Sequence, residues 1–410
     1  MSTRLSAGIT LAFAILISSP AFLAQGLTER ELLDRFVREN PRARALQARV
    51  EEVRAEMKAR VLPPNPVLSY NRESAGGTQE DYLLVEQALP INGRAGLLRQ
   101  AGQSAIRAQQ AQAVFGLNQF RSQLRERFYE LLLAQHRKEA LQQGLRQLEE
   151  VLDILRKGEK EGEHSAFDRM RVERELADLR MELTSMDTMI AQAQAHISGF
   201  ITAGEDYTAL VADGQFEPGK PLPDLPALVA KALENRADRK AQEEQLQQFQ
   251  LERRAAGRLR IPEPMVNAGI KRVQSAGWAD TGHIFGLSIS LPLFSRAKPE
   301  AAVAQAAYER TESERMALER QIAGEVKAAY AAAKLRRRMV EVYTRDVSPR
   351  GAELVQISQI AYREGEQRIL ELLDAYRVTL NSSLRRLDLL AAAKQAEIEL
   401  DRAIGEEIFP

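Results

Sequence analysis

The stretch His283-Ile284-Phe285-Gly286-Leu287-Ser288-Ile289-Ser290-Leu291-Pro292 alternates in polarity along its length. In an extended chain Phe285, Leu287, Ile289 and Leu291 point to one side, and Ile284, Gly286, Ser288 and Ser290 to the other. Proline then closes the run, because it cannot donate to a strand ladder. Working outward, Met265–Val273 is a strand-like partner across Gln274–Thr281, a polar connection holding Gly277 and Trp278. A similar pair, Val67–Arg72 and Tyr82–Leu89, flanks Ser74-Ala75-Gly76-Gly77-Thr78. These runs approach the ~9–11 residues that a tilted strand needs to cross a bilayer. Two readings stand at this point. Either each hairpin lays one face on a soluble core, or the strands are transmembrane and Phe285, Leu287, Ile289 and Leu291 face lipid. Tyr70, Tyr82 and Trp278 suit the aromatic belt of the second reading.

Everything around the hairpins reads as helix. The 16 prolines are unevenly placed, with none between Pro90 and Pro218, Pro299 and Pro349, or Pro349 and Pro410. Proline breaks helices, and the gaps are filled with Ala, Leu, Glu, Gln and Arg, which form them readily. Leu145, Leu148, Leu152 and Leu155 keep the spacing of a helix seam, and Leu373, Leu380 and Leu387 lie a heptad apart. A helix over residues 95–156 is about 90 Å long at 1.5 Å per residue. That length suits a coiled-coil rod or an elongated bundle rather than one compact globule.

The chain also repeats itself. Leu33–Pro41 (LDRFVRENP) answers to Leu228–Arg236 (LVAKALENR), Pro64-Asn65-Pro66 to Pro262-Glu263-Pro264, Leu89-Pro90 to Leu291-Pro292, and Gly162-Glu163 to Gly365-Glu366. The expected organisation is a first repeat over residues 25–212, a proline-rich linker over 213–226 and a second repeat over 227–410. Each repeat runs helix, hairpin (66–90 and 264–292), then a long helical hairpin with its tip near 158–168 and 363–370. The fold class is therefore mainly α with a small β part. Two hairpins make four strands, too few to close a barrel, and an open sheet edge cannot face lipid. If the hairpins are transmembrane, three copies sharing twelve strands satisfy the backbone.

Residues 1–24 read as an export signal: Arg4, an apolar run from Leu5 to Ile17, then Ser18-Ser19-Pro20-Ala21 and Ala24 as cleavage positions. The run is short for a membrane-spanning helix; the competing reading is a buried N-terminal helix. Lys and Arg number 57 and Asp and Glu 57, so bulk positive charge offers no route to nucleic acid. No cysteine is present, which excludes thiolate catalysis, Cys-ligated metal and an N-terminal lipid-modified cysteine. Four His residues are thin stock for a catalytic centre. No nucleophile, base and orienting group converge in the sequence, so no enzyme, cofactor or metal site is expected.

The duplicated layout, the Leu-Pro ending of both second strands, and the turn region Tyr362-Arg363-Glu364-Gly365-Glu366-Gln367-Arg368-Ile369-Leu370-Glu371-Leu372-Leu373-Asp374-Ala375 resemble the outer-membrane efflux protein family, the TolC-like outer membrane factors. The likeness spans nearly the whole chain after the signal. Gly158 through Gly162 to Asp168 is a weaker copy of the same tip. Asn65-Pro66, Asn71 to Gly77, Val85-Glu86-Gln87-Ala88-Leu89-Pro90 and Gly93-Arg94 are similar to the branch serving heavy-metal exporters of the cobalt-zinc-cadmium RND type. Several relatives carry a lipid-modified cysteine that this chain lacks, so the barrel alone is expected to hold the membrane.

The resemblance implies long antiparallel helices forming a periplasmic α-barrel, and a shared 12-stranded β-barrel in the outer membrane. It implies a homotrimer working with a periplasmic adaptor (membrane fusion protein) and an inner-membrane pump of the RND type. The cargo would be divalent heavy-metal ions; organic toxins or a secreted polypeptide are the alternatives within the fold. A periplasmic coiled-coil adaptor is the alternative of another class, which the duplicated hairpin-plus-helices layout opposes.

Glu371 and Asp374 lie three apart and share a helix face. In a trimer they would set six carboxylates around the axis, where like charges repel and attract cations. The resemblance makes them a pore constriction; otherwise they are a solvated helix face. The tips, with Gly158, Gly162, Ser165 and Asp168 in the first repeat and Gly365, Gln367 and Arg368 in the second, would dock the adaptor. His164 and Asp168 are four apart, but two ligands make no firm metal site.

Overall fold

The computed structural model describes residues 26–162, 164–201, 207–216, 220–291, 293–294 and 298–409. The export-signal segment lies outside them, as do Glu163 and Pro292. The first helices are α1 (Glu29–Glu39) and α2 (Pro41–Ala59), followed by strands β1 (Val67–Ala75) and β2 (Thr78–Ala88). Helix α3 (Arg94–Glu161) then runs to the tip and α4 (Ala166–Ser198) returns. The same order follows with α5 (Leu225–Asn235), α6 (Ala237–Arg258), β3 (Pro264–Ser275), β4 (Trp278–Ile289), α7 (Lys298–Asp346), α8 (Ser348–Arg363) and α9 (Ile369–Ile404). The class is the expected one, mainly helical with four strands.

Helix α3 has 68 residues, about 100 Å of rod. Asn92 starts it by accepting the Arg94 N–H at 2.9 Å, with Gly93 in the left-handed region at φ +76°. Helix α7 ends at Asp346, and α8 begins with Pro349 in its first turn, where a proline costs no helical hydrogen bond.

Three apolar clusters hold the helices. One gathers Leu32 and Phe36 of α1 with Leu124 and Phe128 of α3 and Ile197 of α4. Another gathers Leu228 of α5 with Ile322 and Val326 of α7 and Leu400 of α9, the same packing in the second repeat. The third runs along the helical hairpins, from Leu141, Leu148 and Leu155 through Leu176 to Leu372, Leu373 and Tyr376. Its seam on α9 continues through Leu380 and Leu384 and leaves the heptad to Leu387. Eleven residues in three turns follow an untwisted helix more closely than a seven-residue repeat does.

The strands pair in the order β1-β2-β3-β4, all antiparallel, so β1 and β4 are open edges and β2–β3 joins the two hairpins. The polar connections expected over 74–78 and 274–281 are mostly strand. Ala75 pairs with Thr78 across Gly76 and Gly77, both at positive φ, which is the type I′ turn matched to strand twist. Ser275 pairs with Trp278 across a second two-residue turn, with Gly277 at φ +90°. Polarity misled here because a ladder needs backbone partners, not apolar side chains. Strand β4 stops at Ile289, so Leu291 lies just beyond it.

Register assigns the faces, since directly opposed residues share one. One face carries the rows Leu68-Val85-Ala268-Phe285 and Tyr70-Leu83-Ile270-His283, with Val266-Leu287 and Pro264-Ile289 below them. The opposite face carries Val67-Glu86-Asn267-Gly286 and Asn71-Tyr82-Lys271-Gly282. Tyr82 and Trp278 therefore stand on the polar side, and only Tyr70 of the expected aromatic belt stands on the apolar one. Their parity within the strands decides this.

Candidate channel wall and periplasmic tip

The apolar face of the sheet is bare. Phe285 is 82% exposed, Leu287 66%, Ile289 50% and Leu291 64%. Among the described residues no helix packs on it, and four rows spaced by two residues span about 20 Å, close to the ~25 Å apolar band of an outer-membrane barrel. Toward the turns the next row is Arg72-Asp81-Arg272-Thr281, polar throughout. Arg72 donates to Asp81 at 2.6 Å and the Tyr70 hydroxyl donates to the same carboxylate at 2.8 Å, closing the band with a neutralised pair. Among the described residues no helix is long and apolar enough to cross a membrane.

About 100 Å of helix separates this sheet from the tips. In the first tip, Gly162 at φ +79° caps α3 and Ser165 caps α4, its hydroxyl accepting the Phe167 N–H at 3.1 Å. Asp168 sits in the first turn of α4, where a negative charge suits the helix dipole. Gly158 is buried against the His164 ring, and an added Cβ would stand 2.1 Å from its Cδ2. The ring stacks on Tyr362 at 5.9 Å between centroids and 16° between planes, so it clasps the first tip to the second. Burial, then the Asp168 charge, push the Tyr362 phenol above its ordinary pKa. Among the described residues no group of three or more His, Asp or Glu is arranged to hold a metal ion.

In the second tip, Gly365 at φ +77° ends α8 in a Schellman motif. Its N–H reaches the Tyr362 carbonyl at 3.1 Å, and the Glu366 N–H reaches that of Ala361 at 2.8 Å. Arg368 caps α9, and the Glu371 carboxylate accepts the Arg368 N–H at 2.8 Å. Gln367 follows the glycine, its amide oxygen buried without a hydrogen-bond partner. Glu371 therefore stabilises its own helix start, a role that spacing alone did not reveal.

Glu371 and Asp374 are both on the exposed side of α9, while Leu372, Leu373 and Tyr376 are buried. They line a groove of about 790 Å³ between α4 and α9 with Arg171, Arg174 and Arg377. Arg377 of α9 crosses the groove to Glu175 of α4. The carboxylate pair thus meets cations within its own chain, which the sequence reading did not include.

A bare apolar sheet on a long helical rod is matched elsewhere. Residues 228–406 match the family model described as outer membrane efflux protein. The cobalt-zinc-cadmium resistance protein CzcC of Cupriavidus metallidurans is 22% identical over 357 residues, 85% of this chain and 82% of that one. The fold follows that of solved channels over most of the length. CusC superposes with a TM-score of 0.73 at 17% identity, covering 92% of each chain. VceC of Vibrio cholerae gives 0.73 at 16%, over 92% of this chain and 96% of that one. The open state of MtrE from Neisseria gonorrhoeae gives 0.74 at 17%, over 93% and 89%. The second repeat of the chain thus carries the likeness to outer membrane efflux proteins, and the fold of the whole is that of the solved channels. Such proteins are channels, not enzymes, and their working parts are surfaces and a lumen.

A helical rod of this length also needs its helices held in register, and sequence reading missed the groups that do so. Arg125 of α3 is 4% exposed and donates to Glu29, to Asp401 at 2.9 Å and to the Phe409 carbonyl. Arg236 of the second repeat joins Asp238 and Glu325. These arginines look like solvated helix residues in the sequence, and only the meeting of distant segments reveals their partners.

Proposed function

We propose that this chain is the outer-membrane duct of a tripartite efflux system, and that its cargo is divalent heavy-metal cations. The observation that carries the duct is the bare apolar sheet with two open edges at the end of a rod about 100 Å long. Three copies would join β4 of one to β1 of the next and close twelve strands, leaving no unpaired backbone toward lipid. The helices then extend the passage through the periplasm, and the tips, Gly158–Asp168 and Arg363–Leu370, meet an adaptor leading to an RND-type pump. Glu371 and Asp374 would form the constriction at the closed end, gathering six carboxylates about the axis. Arg171, Arg174 and Arg377 share their groove, so separating α9 from α4 changes the charge that the carboxylates feel. The metal cargo rests on the likeness to CzcC.

Two experiments test this. A strain lacking the gene is challenged with zinc, cobalt, cadmium, nickel and copper salts, and separately with dyes, detergents and antibiotics. Sensitivity to the metals alone is the expected result; sensitivity to the organic compounds alone keeps the duct and overturns the cargo. In planar bilayers, Glu371→Ala with Asp374→Ala should raise conductance and lower cation preference. Unchanged conductance and selectivity would remove the pair from the constriction.

A further inference from the structure

The strand–helix junctions carry a charge asymmetry that the whole chain lacks. Among the described residues, 58–66, 89–96, 257–264, 290–291, 293–294 and 298 hold six Lys or Arg against the single Glu263, in a chain of zero net charge. At the turn end of the same hairpins, residues 71–82 and 271–283 hold three cations against four acids. The four junctions meet at one level: Val67 opposes Glu86, Pro264 opposes Ile289, and the Leu89 N–H reaches the Pro264 carbonyl at 2.9 Å.

Each junction also exposes large apolar side chains: Leu62, Ile91, Ile261, and Leu291 with Leu293 and Phe294, the last fully exposed. Leu62 and Ile261 come in the chain between the strands and the cations Lys58, Arg60, Arg258 and Arg260, all exposed at the ends of α2 and α6. Arg60 is held by Glu252 at 3.0 Å and still leaves half its side chain in solvent. Apolar groups toward the sheet and cations toward the helices is the pattern of a chain seated at a bilayer surface. Acyl chains take the former and headgroup phosphates the latter.

We propose that the junctions form an amphipathic collar that seats on the phosphate headgroups of the leaflet nearer the helices. The collar continues the apolar face of the sheet and rests on the membrane reading of that face. It fixes how deep the barrel sits.

The native chain has no cysteine, so single labels are clean. Leu62→Cys, Phe294→Cys and, as reference, Phe285→Cys are labelled with an environment-sensitive dye. The full-length protein is then reconstituted in phosphatidylcholine–phosphatidylglycerol vesicles with spin-labelled lipids. The expected result is strongest quenching at 62 and 294 by headgroup-level spin labels, and at 285 by mid-chain ones. Labels at 62 and 294 quenched only by aqueous iodide, with 285 still deep, would overturn the collar and leave the membrane sheet intact. Labels at 62 and 294 shielded from lipid and iodide alike would assign the patch to a second copy of the chain. Loss of deep quenching at 285 would overturn the membrane reading and the collar with it. Replacing Lys58, Arg60, Arg258 and Arg260 by Gln should shift the 62 and 294 labels away from the headgroup level; no shift would remove phosphate from the proposal.

Discussion

Arg125 joins distant parts of the chain, since it ties α3 to Glu29 of α1, to Asp401 of α9 and to Phe409, the residue before the last. A guanidinium so placed balances two carboxylates that would otherwise lie unpaired in the interior. Arg125→Met should cost about 3–5 kcal/mol, because removing one partner strands the others; loss of helical circular dichroism on heating measures it. Asp401 accepts from Arg125 and from the Ile408 and Phe409 N–H groups. Burial nevertheless outweighs them and pushes its carboxyl up to about 6. The folded chain therefore holds this proton more tightly than the unfolded chain does. The contribution is complete below about pH 4, the unfolded value, and is lost as pH rises through about 6. The stability difference between Asp401→Asn and the native chain should change over that window and level off above it. A difference that stays constant across it would assign Asp401 an ionised, fully compensated role.

At the scale of elements, the seam between β2 and β3 is the ladder that unites the two hairpins in one sheet. Gly269 sits on it, and a Cβ there would stand 2.0 Å from the Leu83 carbonyl oxygen, a backbone atom that cannot swing aside. Gly269→Ala should destabilise the sheet by on the order of 1–3 kcal/mol, as forced overpacking does. Gly282→Ala on the same face is the control, since its added methyl meets nothing within 4 Å. Comparing the temperatures at which the two variants lose the folded band in unheated electrophoresis checks it. Equal temperatures would show that the seam gives way freely. Some elements were legible beforehand: alternation located β4, and Gly365 with the following Glu and Gln marked the second tip. The turns were not legible, because Gly76-Gly77 closes a tight hairpin between residues as polar as any loop.

The whole molecule presents two open strands, β1 and β4, beside an apolar face, an arrangement that in isolation invites uncontrolled pairing. Closure by two further copies satisfies both. If three copies share one barrel, amide hydrogens of β1 and β4 exchange as slowly as those of β2 and β3, and the detergent-solubilised particle weighs three chain masses by light scattering. Fast exchange confined to β1 and β4 would overturn the closed trimer. The expectation of a trimer came from counting four strands against the needs of lipid-exposed backbone, an argument available from sequence. Which residues of β4 share one apolar face was also legible, because side chains alternate with period two.

Sequence by itself determined the class of this protein: long helices where prolines are absent, strands where polarity alternates, and a repeated plan joining them. These are local signals, and local signals survive without a fold. Tertiary structure alone decided which charges meet. Arg377 reaches back to Glu175, His164 stacks on a tyrosine about two hundred positions away in the chain, and Arg125 gathers both ends of the described chain. Pairings across such separations leave no periodicity to read, because their energy depends on a distance that only packing sets.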